Sequence, residues 1–242
     1  VFPLTGGLDS RCITAAALRE RPGSGYGAVT IGQDDSLEVR YARRLARDLG
    51  LPHRLCPIGP DYLARYGAEA VRRNEGMTVN HTCWRMAVEP YLEECGAAAT
   101  MNGFLGVVAK GGTLINAFTD ESDPAAMKRE FMARYAGSIT PGELRSLLRP
   151  AYKDLAAAPF ETIERRFAEE APGDSLFDRD AYYEFMHFEC RYIGVAFDYC
   201  APHFRIRTPI ADHRFMDFCL AMPRPLRRDA RLMKRMLTAY LP

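Results

Sequence analysis

Apolar residues along the first 115 positions alternate between short continuous runs and helical spacing. The strand-like runs are Val1–Leu4, Ala28–Ile31, His53–Ile58 and Ala97–Met101. The stretches between them repeat apolar residues every three to four positions, as amphipathic helices do. This β-α-β-α-β order predicts a parallel sheet with helices on both faces, a fold of the α/β class.

The second predicted helix opens at Asp34-Asp35-Ser36 and closes at Gly50. Asp35 and Glu38 have the spacing of a capping box. Apolar residues recur every four positions and predict one apolar face, made of Leu37, Tyr41, Leu45 and Leu49. The arginines on its other faces are interrupted by acidic residues, which favours a solvated surface over a nucleic-acid patch.

Further helices are predicted over 62–73 and 83–95, with a break at Glu75-Gly76-Met77 between them. Pro90 lies inside the second of these and predicts a kink or a restart. From about residue 120 the pattern is nearly all helical, with segments at 124–135, 141–148, 160–169, 180–200, 213–222 and 232–240. We therefore divide the chain into an α/β part, 1–119, and a helical part, 120–242.

Composition restricts the partners that we expect. The 242 residues are 48% hydrophobic and 26% charged, with a net charge of +1. These values are typical of a globular protein and indicate neither nucleic acid nor a membrane surface as a partner. No apolar run approaches the ~20 residues that span a bilayer.

Cysteine usage indicates a reducing compartment. The count is odd, and no C-x-x-C pair occurs among Cys12, Cys56, Cys83, Cys95, Cys190, Cys200 and Cys219. Most of these residues lie in apolar contexts, so buried thiols in a cytoplasmic protein are predicted over a disulfide framework or a zinc site. Covalent catalysis is not expected, since no G-x-S-x-G turn is present and no cysteine has an activating context.

The stretch Leu4-Thr5-Gly6-Gly7-Leu8-Asp9-Ser10 joins the first predicted strand to the first helix. Two glycines permit backbone angles that other residues avoid and leave room for a ligand. A helix that begins there presents unpaired N–H groups and the positive end of its dipole, which suits phosphate. Ser10 adds a hydroxyl, and Asp9 adds a carboxylate able to hold Mg²⁺.

This loop resembles the S-G-G-x-D-S loop of the PP-loop ATP pyrophosphatases, with Thr5 in place of Ser, and its continuation resembles the asparagine-synthetase family. The resemblance implies an adenine-nucleotide α-hydrolase-like fold that binds ATP and Mg²⁺. It implies that Asp9 holds the metal and that the whole loop binds ATP. It also implies that Thr30, Ile31 and Gly32, at the end of the second strand, hold adenine.

Asn102 to Gly112 is similar to the family's second glycine loop, G-x-x-G-D-x-x-x-G-G, so Gly103 and Gly106 are expected at the ATP site. The family's metal-binding Asp is replaced by Val107, and a Glu of the asparagine synthetases falls near Phe104. Because the valine side chain has no oxygen to bind magnesium, this departure from the family pattern leaves open whether the family's activity is retained. Candidate replacements are Asp34, Asp35 and Asp120, although no motif in the sequence places them at the site.

Two C-terminal segments extend the resemblance. Arg207 to Asp212 is similar to the family's R-x-P-x-x-D segment, in which a structural role is favoured, with Pro209 in a turn and Asp212 as a helix cap. Lys234 falls where the family has a lysine that stabilises charge during acyl transfer. The resemblance therefore implies two catalytic residues, Asp9 and Lys234.

The implied activity is ATP-dependent amide-bond formation: a carboxylate, on a small molecule or a peptide, is adenylated and then attacked by ammonia or an amine. In the family, ammonia comes from an N-terminal glutaminase domain, which we expect in a longer parent protein. Two alternatives stay open. One is a catalytically degenerate nucleotide-binding domain, suggested by Val107. The other is a tRNA-modifying PP-loop enzyme, for which a basic face and paired cysteines are missing.

Overall fold

The computed structural model describes residues 1–77, 80–137, 139–194 and 204–241, without the side chains of residues 80, 81 and 192. Cys200, His203 and the end of the helix predicted over 180–200 lie outside the described residues. The strands are β1 (Phe2–Pro3), β2 (Ala28–Gly32), β3 (His53–Pro57), β4 (Ala99–Met101) and β5 (Arg205–Arg207).

The helices of the first part are α1 (Leu8–Glu20), α2 (Leu37–Asp48), α3 (Tyr62–Asn74), a 3₁₀ segment (Asn80–Val88), α4 (Glu89–Glu94), α5 (Val107–Lys110) and α6 (Thr113–Ala117). Pro90 stands in the first turn of α4, so the predicted restart at this proline is confirmed.

The second part contains α7 (Pro124–Tyr135), α8 (Pro141–Leu147), a 3₁₀ segment (Pro150–Leu155), α9 (Ala158–Arg165), a π-helical segment (Arg166–Glu170), α10 (Leu176–Tyr183) and a second π-helical segment (Glu184–Ile193). After β5 come a 3₁₀ turn (Pro209–Ala211), α11 (His213–Ala221), α12 (Arg224–Arg227), a 3₁₀ turn (Arg228–Ala230) and α13 (Arg231–Tyr240).

The strands pair in parallel throughout. One sheet has the order β1-β2-β3, and β4 pairs with β5. The backbone of Val1 joins the two sheets, because its N–H group donates to Ala99 at 3.0 Å and its carbonyl accepts from Met101 at 3.0 Å. The parallel α/β sheet followed by a helical part is confirmed. The strand β5, inside the helical part, was not predicted.

Helix α2 corrects part of the sequence interpretation. Its N-cap is Ser36, whose Oγ accepts from the Val39 N–H group, rather than Asp35. Its buried face is Val39, Ala42 and Ala46, whereas Leu37 and Tyr41 are exposed. The small residues lie against the sheet because they let the helix backbone approach closely, and the larger apolar residues lie farther round the helix.

One hydrophobic core connects the two ends of the chain. Buried residues of α1 and the second glycine loop, such as Ile13 and Leu105, pack with Ile210, Met233 and Leu237. The C-terminal helices therefore support the segment that follows β1. The boundary between residues 119 and 120 stays a prediction. No helix in the described part of the chain is both long and apolar enough to cross a bilayer.

Candidate functional site

The loops after β1 and β4 lie together at the carboxyl ends of neighbouring strands. The chain runs from β1 to β2 and β3 on one side, whereas β4 and β5 lie on the other side of β1. The gap between β1 and β4 is therefore the place where the strand order reverses. In open parallel sheets, ligands bind outside the carboxyl ends at such a reversal.

The loop after β1 is held by its own hydroxyl groups. The Gly7 N–H group donates to Thr5 Oγ1 at 3.0 Å, and the Thr5 N–H group donates to Ser10 Oγ at 3.2 Å. The two hydroxyl oxygens are 3.0 Å apart. A serine or a threonine at position 5 preserves this network, which explains why Thr5 can replace the expected serine.

Helix α1 begins at this loop without a side-chain cap. Its N-cap is Gly7, with φ −69° and ψ 153°, and no side chain accepts from the first turn. The N–H groups of Leu8, Asp9 and Ser10 are therefore available to an anion at the positive end of the helix dipole. Neither Gly6 nor Gly7 has positive φ, so the backbone freedom that glycine permits is not used at either position.

The second glycine loop is shaped around Asp9. An added Cβ at Gly103 would overlap Asp9 Cβ, and one at Gly106 would overlap the Asp9 carboxylate. Asp9 Oδ2 accepts from Lys110 Nζ at 2.7 Å, whereas Oδ1 is buried and has no hydrogen-bond partner among the described residues. Two glycines predicted for the site are thus required by close approach to a third predicted residue.

A cavity of about 320 Å³ opens between these two loops, and we call it the glycine-loop cleft. Its described lining includes both predicted loops and one residue of the helical part. The lining residues with functional groups or loop glycines are Thr5, Gly7, Asp9, Ser10, Asn102, Gly103, Gly106, Lys110 and Glu189. Phe104 and Val107 line it too, as apolar side chains.

A second cavity of about 230 Å³ adjoins the first, because Pro3, Thr5 and Asn102 line both. We call it the strand-end cavity. Its lining is mainly apolar and includes Leu4, Val29, Thr30, Ile31, Trp84 and Val88. Thr30 Oγ1 donates to the Leu4 carbonyl at 2.7 Å and lies 2.8 Å from His53 Nε2, which keeps β1 and β2 in register at this cavity. Burial lowers the pKa of His53, and the charge of Arg43 lowers it further.

Other predicted site residues lie near the two cavities without lining them. Leu8 packs against the hydrophobic core, and Gly32 follows Ile31 at the end of β2. Gly6 faces Tyr41 on the other side of the loop, where an added Cβ would lie 3.6 Å from Tyr41 Cβ. These residues shape the backbone of the site rather than its walls.

Lys234 lies on the exposed side of α13, between the buried residues Met233 and Leu237. It does not line either cavity in the described part of the chain. The Arg207–Asp212 segment has the predicted structural role, because Asp212 is the N-cap of α11 and accepts from the Arg214 N–H group. The contact with the Arg214 side chain lowers the pKa of Asp212 to about 2.

Glu189 is a site residue that sequence reasoning missed. It lies in the π-helical segment Glu184–Ile193 and lines the glycine-loop cleft. The charges of Asp9 and Lys110 are close enough to affect the pKa of Glu189. Burial raises the pKa of Glu189 to about 7, and nearby Glu184 adds to the increase. No sequence signal identifies it, because it reaches the cleft from a helix about 80 residues beyond the second loop.

The expected replacements for the missing carboxylates lie elsewhere. Asp34 pairs with Arg43 on the surface, Asp35 is exposed, and Asp120 accepts from the Ser122 N–H group. None of them lines the glycine-loop cleft as described. Within the described residues, no three His, Cys, Asp or Glu side chains are grouped to hold a metal ion.

A second acidic group lies behind the same glycine loop, and we call Asp180 and Glu184 the buried acid pair. An added Cβ at Gly112 would stand 2.7 Å from Asp180 Oδ2 and 3.3 Å from Glu184 Oε2. Asp180 Oδ2 accepts from the Leu114 N–H group at 2.8 Å, and Tyr135 Oη donates to Glu184 Oε2 at 2.7 Å. Burial raises the pKa of Asp180 to about 7.

Six cysteines in the described residues are free thiols, and four of these are buried: Cys12, Cys56, Cys83 and Cys219. Burial raises the pKa of each buried thiol, that of Cys12 to about 11. These cysteines are protonated near neutral pH and are not activated nucleophiles.

Comparison with known proteins supports the family resemblance of the loop at the carboxyl end of β1. Residues 2–90 match the family model described as asparagine synthase. A comparison with curated proteins gives no match. The matched residues include the β1 loop, α1 and the β2 wall of the strand-end cavity, and the match supports ATP-dependent amide-bond formation as the general chemistry. Residues 2–90 are therefore similar to part of an asparagine-synthetase-family synthetase domain.

Proposed function

We propose that the two adjoining cavities bind ATP and that the protein forms an amide bond through an acyl-adenylate. A carboxylate oxygen attacks the α-phosphorus, the bond to the bridging oxygen breaks, and pyrophosphate leaves. Ammonia or an amine then attacks the acyl carbon and loses a proton, and AMP leaves with the electron pair of the broken C–O bond.

One observation carries this proposal. An apolar cavity and a polar cleft share Pro3, Thr5 and Asn102 at the reversal of strand order, so one ligand can occupy both. The apolar cavity suits a nucleoside base beside Ile31 and Trp84. The polar cleft, at the start of α1, suits the phosphates. An ATP molecule has the matching division into an apolar end and an anionic end.

The residues of α1 supply the positioning. The first-turn N–H groups and the Ser10 hydroxyl are directed to bind phosphate oxygens, with charge stabilisation that is already organised before the reaction. Gly103 and Gly106 let the second loop approach Asp9 without steric overlap. In this proposal the chain's main contribution is orientation of the carboxylate and the α-phosphate.

Magnesium is implied by the family, and the described residues fit it in part. Asp9 Oδ1 is buried without a partner, which leaves one protein oxygen for a metal that phosphates hold in addition. A second ligand at position 107 is missing, because Val107 has no donor atom. Asp9 would thus hold an ion brought in with ATP, and that ion would offset phosphate charge.

Lys234 stays a prediction as the residue that stabilises the charge of the acyl-transfer step. The exposed side chain on α13 belongs to a helix that packs against α1, whose N-terminus forms the cleft. We also propose that the substrate carboxylate is on a small molecule or a peptide. A glutaminase domain of the parent protein would supply the ammonia, and the protein would be cytoplasmic.

The test is ATP–[³²P]pyrophosphate exchange with the full-length protein, aspartate and a panel of other carboxylates. We expect exchange that depends on one carboxylate and is lost in Asp9→Ala. Lys128→Met, at an exposed position of α7, is the control and should exchange like the wild type. If ATP binds and no carboxylate supports exchange, the alternative applies: a degenerate nucleotide-binding domain, which the apolar Val107 and Phe104 favour.

A further inference from the structure

Lys110 places a positive charge inside the glycine-loop cleft. It is the last residue of α5, and its Nζ donates to Asp9 Oδ2 at 2.7 Å, although the two residues are 101 positions apart in the chain. Its side chain is 33% exposed and that of Asp9 is 26% exposed, so the ion pair stands at the wall of the cleft rather than beneath it.

The ammonium group has hydrogen-bonding capacity left for a ligand. A lysine carries three N–H donors, and among the described residues Lys110 uses one of them on Asp9. Lys110 is also the only lysine or arginine in the described lining of the cleft, where the carboxylates are Asp9 and Glu189. An anion that enters the cleft therefore meets this cation as its charged partner.

The position of Lys110 relative to Val107 connects it to the missing carboxylate. The two residues are three positions apart in α5, which places them on one side of a helical turn. Both line the glycine-loop cleft. The turn that offers no oxygen for a metal ion at 107 thus offers an ammonium group at 110.

We propose that Lys110 is a pyrophosphate-binding cation, held in place by Asp9, and that its ammonium group does in this protein what a metal ion on residue 107 would do. The proposal rests on the proposed function, since it assumes that ATP phosphates occupy the glycine-loop cleft. Asp9 acts here as a positioning residue for the ammonium. Phosphate oxygens bind the remaining N–H donors, so pyrophosphate binds without a metal ion.

The experiment measures dissociation constants for inorganic pyrophosphate, ATP and adenosine by titration calorimetry, in EDTA and in magnesium. We expect the wild type to bind pyrophosphate and ATP in EDTA. Lys110→Met should weaken both at least about tenfold in EDTA, the loss of one charged contact, and should leave adenosine binding unchanged. Lys110→Arg keeps the charge and should recover most of the affinity. The control Lys128→Met, on α7, should bind all three ligands like the wild type.

A second variant exchanges the two kinds of cation. Val107→Asp combined with Lys110→Met restores an oxygen ligand and removes the ammonium. We expect this double variant to bind pyrophosphate only when magnesium is present, whereas the wild type binds it in both buffers. The readout is the magnesium dependence of binding, which a merely structural role of Lys110 would not change.

The results distinguish a failure of the proposed role of Lys110 from a failure of the proposed ATP binding. Unchanged pyrophosphate affinity of Lys110→Met in EDTA would overturn the role of Lys110, and so would a wild type that binds ATP only with magnesium. Both results leave the proposed function standing, because ATP still binds. A wild type that binds neither ATP nor pyrophosphate in either buffer would overturn both proposals.

Discussion

In both the glycine-loop cleft and the buried acid pair, a carboxylate lies close to a glycine of the same loop. The two regions differ in the charged group beside that carboxylate. Asp9 has Lys110 at 2.7 Å and faces a cavity. Asp180 is 1% exposed, accepts one backbone hydrogen bond and has no ammonium or guanidinium group in hydrogen-bond contact within the described residues.

This difference separates the candidate binding site from a structural centre. A charged carboxylate beside a cation is stabilised and can exchange its partner for a ligand. A buried carboxylate without a paired cation favours its protonated form, which explains why burial raises the pKa of Asp180. The burial of Tyr135, with Asp180 and Glu184 nearby, likewise raises the pKa of the Tyr135 hydroxyl far above its ordinary value.

The largest expected effect is on the pH dependence of stability, when Asp180 of the buried acid pair is replaced. The raised pKa of Asp180 means that the folded state holds its proton more tightly than the unfolded state, so stability is greatest in acid and falls as pH rises from about 4 through about 7. At about 1.36 kcal/mol per pKa unit, this loss amounts to about 4 kcal/mol. Asp180→Asn should remove this contribution, as measured by urea unfolding between pH 4 and pH 8, and should leave the share of Glu189, whose pKa burial also raises to about 7.

The control for that measurement is Asp154→Asn, because the Asp154 side chain is 94% exposed. It should keep the wild-type pH dependence. An Asp180→Asn variant that loses stability with rising pH as steeply as the wild type would show that another group is responsible.

The next prediction compares a glycine of the glycine-loop cleft with a glycine beside the buried acid pair. Gly106→Ala and Gly112→Ala each add a methyl group where an acidic side chain lies, so each should lower the free energy of unfolding by about 1–3 kcal/mol. Only Gly106→Ala displaces Asp9 and should weaken ATP binding at least about tenfold. Thermal unfolding and ATP titration measure the two effects.

Gly142→Ala is the matched control, because an added Cβ in this exposed turn of α8 meets only Thr140 Oγ1 at 4.0 Å. Helix propensity predicts a small gain in stability for it. If Gly112→Ala weakened ATP binding as much as Gly106→Ala, the two regions would act as one.

An effect of similar size on stability is expected at Tyr135. Tyr135→Phe removes the hydroxyl that donates to Glu184 Oε2 and leaves a buried carboxylate oxygen without this partner, at a cost of about 1–3 kcal/mol. Chemical denaturation at pH 7 measures the change. Tyr152→Phe, on an exposed side chain, should change the free energy of unfolding by less than about 0.5 kcal/mol. Equal effects of the two substitutions would contradict a stabilising role for the Glu184 contact.

The smallest effect sharpens the description of the cleft. Thr5→Ser keeps the hydroxyl that accepts from the Gly7 N–H group, so ATP affinity should change less than about twofold. Thr5→Val keeps the side-chain shape but removes the hydroxyl and should weaken ATP binding more, by about fivefold, an effect near 1 kcal/mol. Loss of affinity in Thr5→Ser as large as that in Thr5→Val would show that the methyl group matters instead.

Sequence reasoning found the cleft's two loops because each carries a local signal. Gly7, Asp9 and Ser10 follow a strand and open a helix, and Gly103 and Gly106 follow another strand. The reason for the glycines was different from the one expected, since Gly7 has ordinary φ and Gly106 is required by its distance from Asp9. Steric approach between segments about 95 residues apart has no local signature.

The glycine-rich loop, the order of strands and helices, and the cap at Asp212 were determined by the sequence alone, because residue spacing, hydrophobic period and side-chain hydrogen bonding act within a few residues. Only the tertiary structure decided the return of β5 to the sheet, the arrival of Glu189 in the cleft and the pairing of Lys110 with Asp9. These depend on contacts between distant segments, whose geometry is set when the sheet and the C-terminal helices pack into one core.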